Sequence, residues 1–75
     1  MSKPVYLAVV DSEVLVIRYD TWARTWRRSI ADHKYTKTKY KAVTNHYRTV
    51  FNSKVIHLTR KAFMRTHKRL KARQY

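Results

Sequence analysis

The segment DTWARTWRRSIADH at residues 20–33 follows two strand-like runs, and its reading decides the architecture. Trp22, Trp26 and Ile30 recur at i, i+4 and i+8, which draws one apolar stripe along a helix, and Asp20 or Thr21 supplies an N-cap side chain. The spacing therefore predicts a helix ending at His33. Working back, VYLAVV (5–10) and VLVIRY (14–19) are β-branched and aromatic runs separated by Asp11, Ser12 and Glu13, which favour turns. They predict a β-hairpin. With Asp11 and Ser12 as the turn, Tyr6, Ala8, Val10, Leu15 and Ile17 share one face, the expected core face. Leu7, Val9, Val14 and Val16 share the other, an apolar surface that suits a homodimer interface.

Working forward, a shift of 41 positions sets residues 5–34 on residues 46–75 without a gap. Eight of the thirty pairs are identical, among them Tyr6/Tyr47, Val14/Val55, Arg24/Arg65 and Arg28/Arg69. Chance gives roughly two for average compositions. Pairs such as Leu15/Ile56, Trp22/Phe63 and Arg27/Lys68 also keep their physical roles. The expectation is an α+β fold in a single domain, built from tandem ββα repeats at 5–34 and 46–75 with a basic linker at 35–45. Its antiparallel sheet has about four strands, with both helices on one face. In the second copy Thr59 caps the helix, with Ala62, Phe63 and Leu70 as a thinner stripe than the first. A competing reading places Tyr40, Val43, Tyr47, Val50 and Phe51 on one helix, because their spacing also fits a period of 3.6.

The 75 residues carry 18 Lys and Arg against 4 Asp and Glu, a formal charge of +14. Such a field attracts anions and destabilises the compact chain by self-repulsion, a cost that a bound polyanion relieves. No cysteine is present, which excludes disulfides, thiolate metal sites and a cysteine nucleophile. No glycine is present either, which excludes glycine-dependent phosphate loops. The longest apolar run is far shorter than the roughly 20 residues that span a bilayer, and Met1 to Pro4 lead into no signal-peptide core. A cytoplasmic or nucleoid-associated protein is expected, neither secreted nor membrane-bound.

The candidate site is a repeated basic stripe. Arg24, Arg27 and Arg28 share one face of the first predicted helix, with Arg65, Lys68 and Arg69 as their counterparts in the second. Like charges at this spacing repel, and a phosphate between them reverses the sign. Lys34, Lys37, Lys39 and Lys41 in the linker add phosphate contacts, with Tyr35 and Tyr40 available to stack on bases. The run from Thr66 to Tyr75 is an expected cationic arm. Trp22 and Trp26 are assigned to the core rather than to the site. The four histidines show no metal-ligand spacing and Asp32-His33 with Asn45-His46 lacks the acid cluster of a two-metal nuclease, so no cofactor, metal or catalysis is expected.

These features point to a small non-enzymatic protein that binds the phosphate backbone of duplex DNA, with structured RNA close behind. One alternative is a viral or mobile-element inhibitor that docks on the acidic surface of a nucleic-acid-processing protein. Another is a component of a ribonucleoprotein or the ribosome.

Overall fold

The computed structural model describes residues 3–72. Four strands, β1 (Val5–Val10), β2 (Glu13–Asp20), β3 (Thr25–Asp32) and β4 (Val55–His57), form one mixed sheet in the order β3-β2-β1-β4. Helix α1 (Lys37–Thr49) lies between β3 and β4 in the chain, and α2 (Arg60–Ala72) follows β4. The fold is α+β as expected, but its order is βββαβα and the sheet is not assembled from two ββα units.

The first hairpin forms as its sequence dictates. Tyr6 faces Ile17 and Val10 faces Glu13, which leaves Asp11 and Ser12 as a two-residue turn. Both have positive φ, 51° and 65°, the backbone signature of a type I′ turn. Glycine is favoured at the second of these positions, and serine there holds a left-handed conformation at a cost of about 1–2 kcal/mol. Ser12→Gly is accordingly expected to stabilise the protein by about 0.5–1 kcal/mol, the strain relief less the added freedom of the unfolded chain. A thermal melt checks this, and an unchanged or lower midpoint contradicts it.

Residues 20–33 are not a helix. Asp20 does accept the N–H groups of Trp22 (2.9 Å) and Ala23 (3.2 Å), the bonds expected of a cap. The chain then reverses through Arg24 at φ 53° and pairs back along β2, with Asp20 opposite Thr25 and Tyr19 opposite Trp26. A spacing of four is an even number, so it suits a strand of period two as well as a helix. Pairing with β2 decides between the two readings, because β2 would otherwise be an apolar edge. Of the supposed stripe, Trp26 packs against the core while Trp22 is 96% exposed and Ile30 also reaches solvent.

The expected linker and the strand predicted at 46–51 are instead α1 and its end. Thr36 caps this helix by accepting the N–H of Lys39 at 3.1 Å. Val50 closes it with an N–H donated to His46, and Asn52 turns the chain away at φ 50°. The crossover is required by strand direction: β4 runs parallel to β1, hence in the same sense as β3, and two such strands cannot be joined by a tight turn. Thr59 caps α2 as predicted, accepting the N–H of Ala62 at 3.3 Å.

The helices lie on opposite faces of the sheet, not on one. Tyr6, Ala8, Val10, Leu15 and Ile17, the predicted core face, pack with Phe63 and Leu70 of α2. Val5, Leu7, Val16 and Val55 on the other face pack under Tyr40, Val43 and Tyr47 of α1. The face expected for a dimer is thus largely covered by α1, and Val9 alone of its four residues is exposed. Burial on both sides explains why β1 and β2 read as nearly unbroken apolar runs. Phe63 and Leu70 of α2 are buried, whereas α1 buries only Thr44.

Candidate nucleic-acid interface

The ten predicted site residues separate into groups on different layers. Arg24 sits in the β2–β3 loop, and Arg27 and Arg28 lie on the edge strand β3. Arg65, Lys68 and Arg69 are exposed on α2, whose Phe63 and Leu70 face the sheet. Lys34 follows β3, while Lys37, Lys39 and Lys41 belong to α1 on the other side of the sheet. The paired helical stripes are therefore replaced by a strand edge with one helix beside it, and the α1 lysines stand apart.

Consecutive residues of a strand point to opposite faces, so Arg27 and Arg28 present cations on both sides of the β3 edge. Arg28 faces α2 and its guanidinium donates to Met64 Sδ at 3.1 Å. Arg27 stands opposite Arg18 of β2. Like charges directly across a ladder repel, and one carboxylate, Asp20, holds Arg27 Nε at 2.9 Å. A shallow cleft at this edge is lined by Arg18, Arg27, Arg28, Ser29, His67 and Lys71. Arg18 and His67 are absent from the predicted site, and Lys71 figures only as part of the expected cationic arm. The signal for Arg18 lay in the hairpin register, visible only once residues 25–32 are taken as a strand. Lys68 is three residues before Lys71 and three after Arg65, so neighbouring positions on α2 carry the cationic run from the cleft to the helix's outer side.

Asp20, Asp32 and Glu13 each have partners of their own. The N–H of Ala23, then that of Trp22 and the Arg27 charge, hold the half-buried Asp20 carboxyl below its ordinary pKa. The Lys34 N–H and then Lys39, whose Nζ is 3.3 Å away, do the same for Asp32. Glu13 lies 3.4 Å from His33. Among the described residues, Arg27 and Lys39 are the Lys and Arg side chains within ion-pairing distance of a carboxylate. Burial, and after it the charges of Arg28 and Lys71, pushes the His67 pKa below its usual value, and His67 Nε2 is buried without a hydrogen-bond partner. At neutral pH the cleft's charge accordingly comes from its arginines and lysine.

The other histidines occupy separate settings. His57 Nδ1 is 2.8 Å from the Tyr40 hydroxyl, whose own pKa is raised by burial and then by Tyr35, and His46 rests against Tyr47 and Phe51. Among the described residues no three His, Asp or Glu side chains converge as metal ligands would. None of the described helices is long and apolar enough to cross a membrane. The end of the expected cationic arm, residues 73–75, lies outside the described residues. Compared with protein-family models, curated proteins and solved structures, the chain matches none.

Proposed function

We propose that this chain is a non-enzymatic nucleic-acid-binding protein that grips the phosphate backbone of duplex DNA or structured RNA along the β3 edge and the adjoining surface of α2. The observation that carries the reading is the facing pair Arg18 and Arg27, joined by Arg28 and Lys71 around one open cleft with Asp20 as the paired carboxylate. Holding four cations there costs electrostatic energy in the free protein, and a phosphate oxygen returns it. Arginine's planar fork suits that acceptor, and the guanidinium stays charged at every physiological pH. Contacts of this kind position a backbone without reading its sequence, so low sequence specificity goes with them.

The test is salt-dependent binding of nuclease-treated protein to labelled duplex DNA and stem-loop RNA. Changing Arg18, Arg28 and Lys71 together to Gln is expected to weaken binding at least about tenfold and to flatten the log–log salt slope by roughly three, about one for each cation removed. Lys37→Gln with Lys41→Gln on α1 is expected to have the smaller effect. Unchanged affinity in the folded triple variant would falsify the assignment. A stoichiometric protein partner that survives nuclease would then favour the inhibitor reading.

A further inference from the structure

Trp22 stands at the tip of the loop that joins β2 to β3 and leaves 96% of its surface in water. An indole offers one of the largest hydrophobic gains of any side chain, and the fold does not use this one. Trp26 shows the contrast: its ring meets Tyr6 at 6.0 Å and Tyr19 edge-on at 5.5 Å. The backbone beneath Trp22 is nevertheless fixed. Asp20 Oδ1 accepts the N–H groups of Trp22 and Ala23, and Asp20 Oδ2 is tied to Arg27. The ladder of β2 and β3 continues three pairs past the last pair of β1 with β2, so the loop is carried outward from the sheet.

The surroundings indicate what an exposed ring here can take. Arg24 lies in the same loop, two residues on. Next to the loop, a groove about 580 Å³ in volume begins at Thr21 and is walled by Tyr19, Tyr47 and Phe51, with Arg18 and Lys3 at its side. Aromatic faces set among cations match a strand of nucleotides, whose bases stack while its phosphates are neutralised. We infer that the β2–β3 tip is a stacking site for an unpaired base, with Trp22 as the platform and Arg18 and Arg24 beside the flanking phosphates. This rests on the nucleic-acid reading above and deepens it. A backbone grip treats duplex and loop alike, whereas a base inside a duplex must first be unstacked and a loop base need not be. The ligand class is therefore nucleic acid with unpaired bases.

The experiment compares a stem-loop RNA with a blunt duplex of the same stem, using the full chain and its Trp22→Ala and Trp22→Phe variants, each checked by a circular-dichroism melt. Trp22→Ala is expected to weaken stem-loop binding about fivefold or more and to leave duplex binding nearly unchanged, the usual loss when a stacking ring is truncated. Trp22→Phe keeps a ring and should retain most of the affinity. Indole emission should fall when the stem-loop is added to the wild type, and this quench should disappear in Trp22→Phe although binding persists. Equal loss on both ligands overturns the inference, as does full stem-loop affinity in Trp22→Ala. If the Arg18, Arg28 and Lys71 variant still loses affinity in that last case, the nucleic-acid reading survives alone. If the wild type binds neither ligand at low salt, both fall.

Discussion

Replacing Phe63 by alanine is expected to remove about 3–5 kcal/mol of stability, the cost of truncating a fully buried aromatic side chain. Phe63 is 0% exposed and packs among Ala8, Val10, Leu15, Ile17 and Leu70, so it joins α2 to both central strands. No smaller adjustment refills that space, because β1 and β2 are held in register by their ladder and Leu70 is already buried. A chain of this length has a total stability of roughly 4–11 kcal/mol, so the variant is left marginal or unfolded. Net positive charge works in the same direction, since self-repulsion opposes the compact state. A thermal melt followed by circular dichroism should show the midpoint falling by at least about 12 °C. A fall of only a degree or two would mean that α2 does not dock where its apolar stripe places it.

Two physical demands meet on β3. As an edge strand it presents a row of unpaired backbone groups, and charged side chains there discourage pairing with another chain. That demand alone would account for Arg27 and Arg28. It does not account for Arg18 on an interior strand, for Lys71 on α2, or for an exposed indole at the end of the ribbon. Edge protection is also served by either sign of charge, yet here every charged residue around the cleft apart from Asp20 is cationic. The proposed recognition of a polyanion would explain both sets of residues together.

The sequence reading succeeded where one periodicity had one solution. The hairpin of β1 and β2, its turn, and its face of Tyr6, Ala8, Val10, Leu15 and Ile17 were legible because short β-branched and aromatic runs on either side of turn-forming residues leave one local solution. Thr59 and the α2 stripe were legible for the matching reason. Failure came at Trp22, Trp26 and Ile30, whose spacing of four satisfies both periods. Only the long-range pairing of Tyr19 with Trp26 and of Leu15 with Ile30 selects the strand. The offset of 41 then misled, since it sets Tyr6 of β1 on Tyr47 of α1 and Arg28 of β3 on Arg69 of α2. The misread strand also scattered the candidate site: Arg27 and Arg28 line the cleft, but the company of Arg18 and Lys71 there depends on strand register and helix docking.

The placement of α1 carries the second large effect, because a sheet with both helices on one face and a sheet covered on both faces make opposite predictions for Leu7. On a bare outer face Leu7→Lys would be harmless or would improve solubility. In this structure Leu7 is 0% exposed, packed with Val5, Val16 and Val55 beneath the residues of α1. A lysine there must either bury an ammonium without a carboxylate partner or push α1 off the sheet. Neither route is cheap: the lost leucine alone is worth about 2–5 kcal/mol, and burying the charge adds to it. The expected result is a chain that does not fold, read as loss of the cooperative melt and of the β-sheet signal in circular dichroism. Val9 provides the internal comparison, since it lies on the same face two residues along and is 38% exposed. Its lysine variant can carry the ammonium into water along an extended stem, so Val9→Lys should fold with a loss of no more than about 1 kcal/mol. If both variants fold equally well, α1 does not cover the sheet, and the apolar face of the first hairpin is free after all.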